Sequence, residues 1–218
     1  MTFQTIIDTA QNIEIDRRRV VGQTVSRSQR IKTQQRQTAQ PFALTVSPQA
    51  RFKYGTNRST FEGIMSYDRN LECEIKLGSN TNLAYLTEYQ GQLTSAQRSA
   101  MTITNFTLTS VTIGSLPAIG STVTSATIVL AAGDYIQPQN SRYPYIVQDT
   151  VLRGSGSVVT ATVHRKLITS EAITVTGPMK IGTETSLTVI AQKIPTLVVV
   201  QKNWAQYNGD FVFVEKII

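Results

Sequence analysis

The sequence predicts a mainly β protein with a minor α component: antiparallel sheets or a small barrel, with a short N-terminal helix and an extended basic arm. Three observations carry this expectation. Ser125–Ile168 breaks into short runs of β-branched and aromatic residues separated by Gly, Pro, Asn and Ser, the pattern of a compact antiparallel meander. From Ser99 to Gly133 no residue is charged, and Thr and Ser interrupt the apolar positions throughout. Leu71, Cys73, Ile75 and Leu77 alternate with Glu72, Glu74 and Lys76, as a half-buried strand requires.

Taken in order, Phe3, Ile6, Ile7 and Ala10 fall at i, i+3, i+4 and i+7, which predicts a short amphipathic helix within Phe3–Ile13. From Arg17 to Gln40 the chain is polar. Val21, Gln23, Val25 and Arg27 alternate with Gly22, Thr24, Ser26 and Ser28, which favours an extended strand or hairpin. Nothing in Arg30–Gln40 can anchor a core, so residues 17–40 are read as a protruding arm ordered by a partner.

Phe42–Val46 reads as a strand, Arg51–Ser59 as a basic loop carrying Phe52 and Tyr54, and Phe61–Tyr67 as helix or strand. Leu83–Tyr89 suggests a strand. Thr94–Ala100 suggests one helical turn behind an N-cap at Thr94 or Ser95.

After Met101 the pattern is almost purely β. Gly114–Gly120 supplies a turn. Strands are expected at Thr127–Ala132, Tyr135–Gln137, Tyr143–Val147, Val151–Arg153 and Val158–Val163, then at Ile173–Val175, Ser186–Ile190, Leu197–Val200 and Phe211–Val214. Gly177-Pro178 reads as a turn. Asn208-Gly209 reads as a type I′ hairpin turn joining Trp204–Tyr207 to Asp210–Val214. The division this suggests is an N-terminal helix and basic assembly arm (1–40), a mixed sheet part (41–95), and an all-β part (96–218) whose C-terminal hairpin returns to the core.

The chain has 218 residues and a net charge of +7, enough length for one large domain or two small ones. Residues 1–40 hold seven basic and three acidic side chains, a local excess of +4 that exceeds half the total. Such a segment attracts nucleic acid, an anionic surface or an acidic protein. Cys73 is the single cysteine, which excludes an intramolecular disulfide and a zinc cluster and suits a reducing cytoplasm. Met1–Ala10 lacks the features of a secretory signal, and no run is apolar enough for a membrane-spanning helix, so no membrane association is expected.

Candidate chemistry is sparse. His164 is the sole histidine, so a Ser-His-Asp triad would have to use it, yet no nucleophile elbow is present. The plainer reading is a strand-end residue beside Arg165 and Lys166. Gly154-Ser155-Gly156 offers backbone N–H groups to an anion but lacks the spacing and Lys of a phosphate loop. Glu72 and Glu74 share one strand face beside Lys76, as solvated charges commonly do. Catalytic residues, cofactors and metals are therefore not expected, and the chain is read as a non-enzyme. Trp204, Tyr207 and Phe211 allow an aromatic glycan platform or, more plainly, a hairpin core. The basic arm is the strongest functional signal, with Arg17, Arg18, Arg19, Arg27, Arg30, Lys32 and Arg36 as candidate assembly contacts. Planar guanidinium groups suit bidentate pairing with carboxylates of a neighbour. The arm contains no stacking aromatic. The basic loop interleaves Arg51, Lys53 and Arg58 with Phe52 and Tyr54 and suits nucleic acid better, which leaves nucleic-acid binding as the alternative reading.

The segment Gly133-Asp134-Tyr135-Ile136-Gln137-Pro138, followed by Tyr143–Arg165, resembles tail and baseplate structural proteins of tailed bacteriophages, particularly those with contractile tails. Phe3–Ile7, Arg17–Arg27, Asn82–Leu86 with Tyr89-Gln90-Gly91, and Asn208–Val212 are similar to the same group. The resemblance implies a virion structural protein of the tail, made in the host cytoplasm: a baseplate or tube-associated subunit forming a homo-oligomeric, sixfold ring and contacting other tail and baseplate proteins.

Overall fold

The computed structural model describes residues 3–17, 21–25, 31–35, 41–168 and 176–217. The expected strand at Ile173–Val175 lies outside them. In chain order the elements are α1 (Gln4–Asp8), β1 (Asn12–Asp16), β2 (Val21–Val25), β3 (Ile31–Gln35), β4 (Ala43–Ser47), β5 (Phe52–Lys53), α2 (Tyr54–Met65), β6 (Cys73–Ile75) and α3 (Ser95–Ser99). There follow β7 (Thr102–Phe106), β8 (Ser110–Gly114), β9 (Ile128–Leu130), β10 (Tyr135–Pro138), β11 (Tyr145–Ile146), β12 (Val151–Leu152) and β13 (Val159–Thr162). The last strands are β14 (Gly177–Ile181), β15 (Leu187–Lys193), β16 (Thr196–Val200), β17 (Trp204–Asn208) and β18 (Phe211–Glu215). The protein is mainly β with few short helices, and all pairings between the described strands are antiparallel.

Two hydrophobic clusters organise the chain. The first lies on a five-stranded sheet in the order β1-β4-β18-β15-β6. Its inward residues include Leu44 and Val46 of β4, Phe211 and Phe213 of β18, and Val189 and Ala191 of β15, all almost fully buried. The predicted stripe of Phe3, Ile6, Ile7 and Ala10 covers this face. Phe3 meets Tyr67 edge to face at 4.7 Å and Phe213 at 5.2 Å. The helix is shorter than expected. It ends at Asp8, and the buried side chain of Asn80 donates to the carbonyl of Ile7 at 2.7 Å. The chain then turns into β1, which sequence periodicity assigned in part to the helix.

The second cluster fills a curled six-stranded sheet, β11-β10-β14-β7-β8-β13. Just past the ends of its two edge strands, Val147 and Val163 form an antiparallel bridge. Gln148 N–H donates to Thr162 O and His164 N–H to Ile146 O, each at 2.9 Å. The sheet thus meets itself, and Tyr143, Tyr145, Ile113 and Val129 pack inside. The turn at Gly133-Asp134 forms where expected. Gly133 has φ +101°, and the buried Asp134 carboxylate accepts from Gln90 N–H and Ala131 N–H, both at 2.8 Å. Burial raises the proton affinity of this carboxyl, with the two N–H donors opposing.

Several expectations are corrected. Arg51–Ser59 is not a loop but β5 followed by the start of α2, which continues through Phe61. The local sequence offers no cap. Asn203, from the other end of the chain, supplies Oδ1 to Gly55 N–H and its carbonyl to Tyr54 N–H, both at 2.7 Å. Leu83–Tyr89 is a 3₁₀ turn at Ala84–Leu86, because its N–H groups find carbonyls three residues back instead of a neighbouring strand. The strand at Leu71–Leu77 shrinks to β6, with Leu71 exposed. Gly177-Pro178 opens β14. There Pro178 pairs opposite Thr102, and the strand then shifts its pairing to β10 from Met179 onward.

The Asn208-Gly209 turn does not join β17 to β18 as a hairpin. β16 pairs with β17 from Thr196↔Asn208 to Val200↔Trp204, and β15 pairs with β18 through Ala191↔Phe213 and Val189↔Glu215. Apart from a bulge between Ala191 and Lys193, where Lys193 pairs with Val212, both pairings share one register, so 187–215 is a single long hairpin with its tip at Gln201–Asn203. Lys202 and Asn203 have φ of +48° and +69° there. Gly209, at φ +112°, sits across from Pro195 in the middle of the hairpin and bends it between two sheets. The base of the hairpin inserts beside β4 and β6, and the tip joins β5.

Candidate functional site

The arm grows out of the edge of the five-stranded sheet. β1 and β4 pair from Asn12↔Ser47 to Asp16↔Ala43, and the same two chain segments continue outward as β2 and β3, paired from Val21↔Gln35 to Val25↔Ile31. Among the described strands, β2 and β3 pair only with each other. The predicted hairpin geometry is therefore present. Of the proposed contact residues, Arg17 is exposed at the root of the arm and Lys32 lies in β3 opposite Thr24. Arg18, Arg19, Arg27, Arg30 and Arg36 lie outside the described residues.

Arg17 borders an open cleft of about 680 Å³ whose other walls include Gln148, Asp149 and His164. His164 is half-buried, and its Nδ1 accepts a hydrogen bond from Ile146 N–H at 3.0 Å. Its ring packs 5.4 Å from Phe42. Burial, aided by the charges of Arg165 and Arg17, lowers its pKa from 6.5 to about 3. His164 is thus a neutral hydrogen-bond acceptor of the barrel wall, which matches the plainer of its two readings.

Next to it, sequence reasoning missed a buried charge. The Arg165 guanidinium binds Glu215 through two contacts, at 2.5 and 2.7 Å, and also donates to Pro144 O at 2.9 Å. Phe42, Tyr143 and Tyr145 surround it, with ring centroids at 5.2–5.9 Å. Glu215 also accepts from Phe42 N–H at 3.1 Å. One signal was available in the sequence: Glu215 continues the inward series of Phe211 and Phe213, so its carboxylate had to meet a cation inside the protein.

The other candidates resolve individually. At Gly154-Ser155-Gly156 the carbonyls of Gly154 and Gly156 turn toward the buried Arg153 guanidinium, which also donates to Pro117 O at 2.9 Å. A cation fills the turn, so it is not an anion cradle. Glu72 binds Arg142 at 2.8 Å and Lys216 at 2.6 Å, and the Lys216 hydrogen bond chiefly lowers its pKa. Glu74 remains exposed. Phe52 is buried and Tyr54 stacks on Phe61, so the aromatics of the basic segment are engaged in the core. Tyr207 and Phe211 are buried while Trp204 lies half-exposed, so these three do not form one platform.

No protein-family model matches this chain, and no curated protein matches it.

Among the described residues, no group of three or more His, Cys, Asp and Glu stands ready to hold a metal, and no helix is long and apolar enough to cross a membrane.

Proposed function

We propose that this chain is a structural subunit of a bacteriophage tail, a baseplate or tube-associated ring component that assembles through protein–protein contacts. The observation that carries the reading is the arm. A two-stranded extension that pairs with no other described strand of its own chain leaves the sheet edge where the excess positive charge is concentrated. An isolated two-stranded hairpin is marginally stable in water, so a neighbour's strand beside it would stabilise it. Copies related by a closed rotation would each lend an arm to the next, which makes a ring. The resemblance of the Gly133–Arg165 segment to tail and baseplate proteins supplies the setting: a virion tail built from protein made in the host cytoplasm.

Deletion of residues 17–40, rejoined by a short Gly-Ser linker, tests this. Light scattering and particle imaging with tail partners are expected to show rings for the intact chain and dispersed subunits for the deletion. Unchanged assembly would sink the reading.

A further inference from the structure

The tip of the long hairpin presents a second interaction surface, separate from the arm. β16 is the edge of the three-stranded sheet β16-β17-β5 and is hydrogen-bonded on one side only among the described strands. Its sequence, Thr-Leu-Val-Val-Val, has no charge or bulge to guard its centre. Val198 is 39 % exposed, Val199 63 % and Trp204, opposite Val200, 36 %. Val198, Val200 and Trp204, with Gln206 opposite Val198, share the face turned away from the buried Ala205 and Tyr207, while Val199 lies exposed on the other face at the free edge.

The charges around this edge are mostly positive, with half-buried Asp210, past the end of β17, as the exception near Lys193. β16, β17, β5 and the turn between β16 and β17 contain Lys53 and Lys202 and no Asp or Glu, and exposed Lys193 stands just before β16. These lysines argue against a second copy as occupant. Antiparallel self-pairing centred on Val198 would set Lys193 of one copy opposite Asn203 of the other, one residue from Lys202, and like charges gathered at both ends disfavour that pairing.

We infer that β16 receives a β-strand from a different protein, apolar in its middle and carrying Asp or Glu at both ends. Main-chain hydrogen bonds to the free edge supply the attachment, Val198 and Trp204 take alternate apolar side chains, and Lys193 and Lys202 read the flanking carboxylates. The inference rests on the assembly reading only for where such a strand would come from.

The test uses the full chain and two fluorescent peptides, Asp-Thr-Val-Thr-Val-Thr-Val-Glu and Lys-Thr-Val-Thr-Val-Thr-Val-Lys, followed by anisotropy. The acid-ended peptide is expected to bind roughly tenfold or more tightly than the lysine-ended one, as complementary charges at both ends imply. The double variant Lys193→Glu/Lys202→Glu, confined to exposed side chains, is expected to reverse the preference. Val199→Pro, which removes a free-edge N–H, and Val198→Lys, which keeps the backbone intact, are each expected to weaken binding. Absent binding, equal binding of the two peptides, or binding indifferent to all of these variants would overturn the inference. A wild-type dimer that Val199→Pro converts to monomer would also overturn it, since a second copy would then be the occupant. The arm deletion leaves β16 untouched. Lost peptide binding with arm-dependent rings intact therefore sinks this inference alone, and the reverse sinks the ring reading alone.

Discussion

Arg165 and Glu215 form a buried bidentate ion pair that ties the curled sheet to the five-stranded sheet. Arg165 lies just past β13, Glu215 ends β18, and their side chains are 1 % and 0 % exposed. The guanidinium supplies the cation that the inward carboxylate needs, and the surrounding aromatic rings keep water out.

Removing one partner leaves the other charge buried alone. Arg165→Met and Glu215→Gln are each expected to cost about 3–5 kcal/mol in urea unfolding. The double variant Arg165→Met/Glu215→Met is expected to cost much less than the two singles added together. Additive losses would show that the two side chains act independently.

His164 predicts an acid-labile fold. The unfolded chain takes up a proton near pH 6.5, whereas the folded His164 stays neutral until about pH 3. Between those values the unfolded state binds more protons, so stability falls as pH falls. From pH 7 to pH 5 the loss from this residue is about 2 kcal/mol, at ~1.4 kcal/mol per pH unit. His164→Asn offers an Oδ1 acceptor to Ile146 N–H without the titration, so its unfolding free energy should change less over the same range.

Asn203 caps α2 across the fold. Asn203→Ala loses that cap and places a Cβ-bearing residue of poor αL preference at φ +69°, with an expected cost of about 1–2 kcal/mol. Asn203→Gly loses the cap but tolerates the backbone, so it should fall between alanine and wild type in thermal unfolding.

Gly78 meets the backbone of Thr183. An added Cβ would lie 2.6 Å from Thr183 Cα, closer than atoms can approach. Gly78→Ala is expected to destabilise by about 1–3 kcal/mol, and Gly120→Ala, which has open space at that atom, to leave the urea midpoint nearly unchanged.

The arm should respond to salt. If Arg17, Arg18 and Arg19 grip carboxylates of a neighbour, replacing all three by Gln should raise the concentration needed for assembly by roughly tenfold or more. Added salt should act in the same direction on exposed pairs. Light scattering across a salt series measures both.

Legibility in the sequence followed the range of the interactions. The capping box at Thr94 is complete within three residues: its hydroxyl accepts from Gln97 N–H, and the Gln97 side chain accepts from Thr94 N–H. The Phe3–Ala10 stripe, the Phe42–Val46 alternation and the Gly133-Asp134 turn are equally local, and each could be read directly. α2 could not, because its cap comes from 148 positions away. Nor could the role of Asn208-Gly209. The dipeptide favours a tight turn wherever it occurs, and only the shared register of β15–β18 and β16–β17 on either side of the bulge at Lys193 places it inside one hairpin.

The candidate site divides in the same way. Charge concentrated in residues 1–40, a polar alternating arm and the absence of a catalytic motif belong to the chain as written, since they depend on composition and spacing alone. Which strands meet is a matter of tertiary structure: β18 between β4 and β15, Val147 against Val163, the bare edge of β16, and Glu215 facing Arg165. A residue's periodicity tells which side of its own strand it occupies. The group it meets there depends on strands distant in sequence, whose pairing is set by the burial of two whole cores together.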